Sequence, residues 1–86
     1  MDPLAHLLAK VDNPDDLKIF LDVTLTEKEL EMAEERWRIF KALKEGMTQR
    51  DAAKAAGASI ATVTRGAKVY RKNKAKINTW LAYHPD

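Results

Sequence analysis

Apolar residues recur at helical spacing along almost the whole chain, and the breaks between the runs carry helix-ending chemistry. Leu4, Leu7, Leu8 and Val11 follow Asp2-Pro3 at i, i+3, i+4 and i+7, which predicts a first amphipathic helix. Asp12-Asn13-Pro14-Asp15-Asp16 breaks it and starts a second, with Asn13 as N-cap, Pro14 in the first helical position and two carboxylates at the positive end of the dipole. This second helix is expected to reach about Val23. Its Leu17, Ile19, Phe20, Leu21 and Val23 leave little polar face, so it needs cover on more than one side, as a dimer interface would give. Thr26 and Glu29 then form a capping box, with Leu25 placed to staple onto Leu30. The long helix that follows carries Leu30, Ala33, Trp37, Phe40 and Leu43 as its apolar stripe, with Trp37 and later Trp80 expected in the core, and stops at Gly46.

From Met47 to Arg71 the spacing predicts two short helices joined by a tight turn. Thr48 caps the first, with Asp51 three residues on as the acidic member of a capping box; Gly57 ends it, and Ser59 caps the second. That is the spacing of a helix-turn-helix, whose second helix enters the DNA major groove. At 100° per residue the second helix sets Ile60, Val63, Ala67 and Tyr70 on a packing side and Ala61, Arg65 and Lys68 on the other, with Thr62 and Thr64 beside them. Small, hydroxyl and cationic residues together suit close approach to base edges and phosphates. An ordinary helical hairpin with a solvated basic face fits the same pattern. Ile77, Trp80 and Leu81 mark a last short helix, ended by His84-Pro85. No stretch alternates as a strand does, and no repeat, low-complexity segment or linker divides the chain. The expected fold is all-α, a single domain over 1–86: core and dimerisation helices in 1–46, the helix-turn-helix in 47–71 and a C-terminal helix in 72–86.

The net charge of +2 conceals an asymmetry that sharpens this picture. Met1 to Glu35 holds 3 Lys against 10 Asp and Glu, whereas Arg36 to Lys76 holds 12 Lys and Arg against only Glu45 and Asp51. The cations cluster on the helix-turn-helix, where they would supply the salt-sensitive, sequence-independent part of binding to a polyanion. With 86 residues the chain makes one small domain of limited core, which oligomerisation would extend. There is no cysteine, hence neither a disulfide framework nor a thiolate metal site. No apolar run approaches the ~20 residues that cross a bilayer, and the N-terminus lacks the basic-then-apolar order of a signal peptide, so the expected location is cytoplasmic.

Enzyme readings fail on inventory. His6 and His84 lie near opposite ends without metal-ligand spacing, the carboxylate pairs Asp15-Asp16 and Glu34-Glu35 sit where helix starts and solvated faces place them, and no glycine-rich phosphate loop is present. The one serine, Ser59, is explained as a cap. Arg36 and Arg38 flank Trp37 on the long helix, and a solvated surface cation accounts for one of the two.

The run from Gly57 to Gly66, GASIATVTRG, together with Met47-Thr48-Gln49-Arg50, Arg36-Trp37-Arg38-Ile39, Leu25-Thr26 and Trp80-Leu81, resembles the tryptophan repressor family, itself one of the type cases of helix-turn-helix docking. The resemblance covers nearly the whole chain, without the family's longer N-terminal arm and C-terminal tail. It implies an intertwined homodimer of six-helix subunits that represses transcription on operator DNA, with L-tryptophan as co-repressor and no other cofactor. By resemblance Arg36 and Arg65 sandwich the indole, Arg65 also holds the carboxylate, Gly66 lies against the ring, Thr26 and Thr62 line the pocket, and the Val23 and Leu25 carbonyls face the ligand's amino group. Val69 stands where the family has a serine that helps bind that amino group, Lys68 replaces a neutral polar residue, and the loop between Gly46 and Met47 is one residue short. For DNA, Arg50 matches a guanine-reading arginine, and Ile60, Ala61 and Thr64 match the groove-facing end of the second helix. Thr48, Gln49, Lys54, Ser59, Thr62 and Lys68 complete the expected DNA surface. Two rival readings stay open: a ligand-independent DNA-binding regulator of the same fold, and a helical dimerisation module that docks an acidic protein.

Overall fold

The computed structural model describes residues 2–83, which form six helices and no strand. They are α1 (Pro3–Ala9), α2 (Pro14–Thr24), α3 (Glu27–Lys44), α4 (Gln49–Ala56), α5 (Ile60–Lys72) and α6 (Lys74–Ala82). The second helix thus runs to Thr24 and the fifth to Lys72, each one residue beyond its expected end, and Asn73 alone separates α5 from α6. His84-Pro85, expected to end the last helix, lies outside the described residues. No helix among the described residues is long and apolar enough to cross a membrane.

Local chemistry sets the boundaries. Asp2 accepts the Leu4 amide at 2.9 Å, Asn13 accepts the Asp16 amide at 2.8 Å, and Pro3 and Pro14 open α1 and α2. Ahead of α3 the capping box closes in both directions: the Glu29 amide donates to Thr26 Oγ1 at 3.1 Å, and the Thr26 amide to Glu29 Oε1 at 2.8 Å. The Thr26 backbone N–H, then its side chain, hold the Glu29 carboxyl below its ordinary pKa. At the end of α3, Gly46 (φ 85°) lets the Met47 amide reach back to the Ala42 carbonyl at 3.2 Å.

The chain divides into two compact units, residues up to Met32 and residues from Ala33 onward, with the boundary inside α3. In the first, neither α1 nor α2 contains a buried residue, and Leu4, Leu7, Leu8, Ile19 and Val23 are all exposed. The second holds two apolar clusters. Ile39 and Ala42 of α3, Ala52, Ala53 and Ala56 of α4, and Val63 of α5 make one; Phe40, Tyr70 and Ile77 make the other, with Val69 and Leu81 against it. Leu43 packs against both.

Two expectations about the core need correction. Trp37 and Trp80 are 39% and 55% exposed, so they are surface residues, not core. Trp37 sets its ring edge-on against Phe40, centroids 5.1 Å apart, and Phe40 takes the buried place. Ile60, assigned by the wheel to the packing side, is 51% exposed, because α5 is only beginning there and Val63 is its first buried residue. Val63, Ala67 and Tyr70 are buried as expected.

Candidate nucleic-acid interface

α4 and α5 pack on one another across a three-residue turn, Gly57-Ala58-Ser59. Gly57 adopts φ 69°, a left-handed conformation that costs an L side chain roughly 1–2 kcal/mol, and this lets the Ala58 amide close on the Ala53 carbonyl at 2.9 Å. Thr48 Oγ1 accepts the Asp51 amide at 3.1 Å, and Ser59 Oγ accepts the Thr62 amide at the same distance. Both caps therefore fix the starts of the two helices as expected from the sequence, but the capping box expected at Thr48 and Asp51 forms only its hydroxyl half, the shorter Asp51 side chain making no return bond to the Thr48 amide.

Most of the residues expected on a DNA surface are exposed on this pair. Thr48, Gln49, Arg50 and Lys54 of the α4 segment are exposed, as are Ser59, Ile60, Ala61, Thr64 and Lys68 at and along α5; Thr62 is half-buried. The two helices carry six cations and a single acid, Asp51. All four hydroxyls are already engaged within the motif, Thr48 as the cap just described. Ser59 donates to Thr62 Oγ1 at 2.9 Å, and Thr64 Oγ1 lies 3.0 Å from both Gln49 Oε1 and the Ile60 carbonyl. Gln49 and Thr64, 15 positions apart, thereby join the first turn of α4 to α5.

Of the residues matched to ligand binding, Val23, Leu25 and Thr26 belong to the first unit. Val23 is 79% exposed, Leu25 ends α2, and Thr26 is engaged in the capping box. Arg36, Thr62, Arg65, Gly66 and Val69 belong to the second. Arg36 and Arg65 are exposed, and Arg65 Nη2 reaches Thr62 Oγ1 at 3.4 Å. Gly66 is buried against α3: a Cβ there would lie 3.1 Å from Ile39 Cγ2. Val69 is half-buried against the Phe40, Tyr70 and Ile77 cluster. A separate groove of about 470 Å³ is lined by Glu34, Trp37, Arg38, Lys41, Trp80 and Leu81, none of them a matched ligand residue.

In the sequence Arg38 stands out only as a neighbour of Trp37. Its Nε–H donates to the Ala56 carbonyl at 3.2 Å, satisfying one of the carbonyls left open at the end of α4. No spacing rule signals a contact across 18 positions; only the fold reveals it.

The family model described as Trp repressor protein matches residues 1–84 of the chain. The chain belongs to the Trp repressor family. Over 74 residues it is 38% identical to the Trp operon repressor homologues of Xylella fastidiosa strains M23, Temecula1 and 9a5c, a stretch that covers 85% of this chain and 80% of theirs. No solved structure matches it. It is a Trp-repressor-like, DNA-binding transcription regulator, and the α4–α5 pair is the helix-turn-helix of that family.

Proposed function

We propose that the chain acts as a homodimer that represses transcription by seating the start of α5 in the major groove of an operator, with L-tryptophan as its effector. The observation that carries the DNA part is the surface itself. Ile60, Ala61 and Thr64 stand exposed at the start of α5 beside Gln49 and Arg50, with Lys54 and Lys68 flanking them and one acid on the pair. The dimer is supported by the leucines, Ile19 and Val23 of α1 and α2, which a second copy would cover.

The ligand part rests on Arg36 and Arg65, both exposed, which keep the family's means of holding a flat ring and a carboxylate; Gly66, matched to the ring's neighbour, is occupied instead in packing against Ile39 of α3. A charge-assisted hydrogen bond is worth about 1.5–3 kcal/mol, against roughly 0.5–1.5 kcal/mol for the neutral bond that Val69 forgoes. Duplex DNA from the chain's own promoter region, titrated with and without L-tryptophan, is the direct test: tighter binding with the amino acid is expected. Calorimetry adds a finer comparison, in which L-tryptophan binds the wild type more weakly than it binds Val69→Ser.

A second reading, a ligand-independent regulator of the same fold, is favoured by Val69 itself, whose side chain packs into an apolar cluster. No heat with L-tryptophan in either protein, alongside intact DNA binding, would establish that reading instead.

A further inference from the structure

α4 is held in place in an unusual way. All three of its buried residues are alanines, Ala52, Ala53 and Ala56. A methyl group buries far less apolar surface than a leucine or isoleucine side chain, so packing alone fixes the tilt of this short helix weakly. Polar contacts hold its two ends. At the first turn Gln49 meets Thr64 of α5 at 3.0 Å; at the last residue the Ala56 carbonyl accepts Arg38 Nε–H from α3 at 3.2 Å. The second contact is the stronger in kind, because the donor is charged and the acceptor sits at the negative end of the helix dipole. It is also partly buried, whereas the Gln49–Thr64 contact is exposed.

We propose that Arg38 is a positioning residue for DNA reading: from α3 it latches the C-terminal end of α4 and so sets the angle at which Gln49, Arg50 and Lys54 face the groove. This rests on the reading of α4–α5 as the DNA-reading unit. Arg38 touches no base in this scheme. Gln49 and Thr64 belong to the expected DNA surface themselves, so Arg38 is the residue at which positioning and contact separate.

The test compares wild type with Arg38→Met, which keeps the aliphatic stem but removes donor and charge. Two duplexes of equal length serve as probes, one enriched by the wild type from a random-sequence pool and one of random sequence. Arg38→Met is expected to lose about tenfold in the ratio of specific to random affinity, the low end of what a charge-assisted bond supplies, with the salt slope unchanged. Amide exchange in the free protein should quicken about tenfold over residues 52–58 and stay unchanged along α5. Arg38→Lys keeps a charged donor and should restore both readouts. Equal losses on both duplexes with a salt slope lower by about one would assign Arg38 to a phosphate and overturn the proposal. So would unchanged exchange in α4, or quickening spread evenly over the second unit. If Arg38→Met does not fold, Arg38→Lys decides: wild-type exchange supports the latch, and a folded lysine variant with fast α4 amides refutes it. If the wild type enriches no sequence, the DNA reading fails by itself and the exchange comparison still decides the latch.

Discussion

At Gly66 the backbone of α5 comes so close to α3 that a single methyl group decides how the helices pack. A Cβ there would sit 3.1 Å from Ile39 Cγ2, and Ile39, fully buried, would have to give by a few tenths of an ångström. Alanine is intrinsically favoured over glycine in a helix by about 1 kcal/mol, while overpacking costs roughly 1–3 kcal/mol. Gly66→Ala is therefore expected to lower stability by about 1 kcal/mol in urea melts, and to become stabilising in an Ile39→Ala background, where the obstructing carbons are gone. Equal effects in both backgrounds would show that Ile39 is not the obstacle. In the sequence Gly66 stood out only through the family resemblance, as a ligand-facing position; its contact with Ile39 was not legible, since Ile39 falls outside the stripe read along α3. A single stripe describes one packed face, and α3 packs on two, through Phe40 and through Ile39 with Ala42. Arg50 and Lys68, both exposed as expected, should differ in kind. Arg50→Ala should relax specificity by about 1–3 kcal/mol, and Lys68→Ala should reduce the salt slope of binding by about one. Equal losses on specific and random duplexes for both variants would mean that neither reads a base.

Helix ends were the most legible feature of the sequence, because each is fixed by a contact between neighbours. Asn13, Thr26, Thr48 and Ser59 all cap where their side chains predict. The capping box before α3 makes stability depend on acidity. Glu29 is held ionised below its ordinary pKa by Thr26, so its contribution is full above the unfolded value of about 4.3 and is lost as the pH falls through the lower folded value. Glu29→Gln keeps the capping geometry without the titration. Urea midpoints at neutral and strongly acidic pH should therefore draw closer in Glu29→Gln than in wild type, and an unchanged gap would remove the box from the acid response. Contacts between elements were less legible. The wheel placed Ile60 inward because it treats a helix as endless, whereas the first turn of α5 precedes its first packed residue, Val63. The stripe assigned Trp37 and Trp80 to the core by hydrophobicity, yet Phe40, Tyr70 and Ile77 already fill that space.

For the whole molecule, the uneven placement of burial is the governing fact. Both apolar clusters lie in the second unit, and α1 and α2 contain no buried residue. Static light scattering should give twice the 9.7 kDa chain mass at micromolar concentration, and a folded species of 9.7 kDa would remove the proposed dimer. In that dimer the apolar side chains left bare, Leu4, Leu7 and Leu8 on α1 and Ile19 and Val23 on α2, would make folding a second-order event. The melting midpoint of such a protein climbs with the logarithm of its concentration, as any stability derived from association must. In a cell the same dependence would act as a timer. If the proposed dimer holds, a newly synthesised copy would keep sticky, protease-accessible apolar side chains until it met another, so chains leaving neighbouring ribosomes on one message would have the shortest wait, and stray single copies would be the first to be cleared.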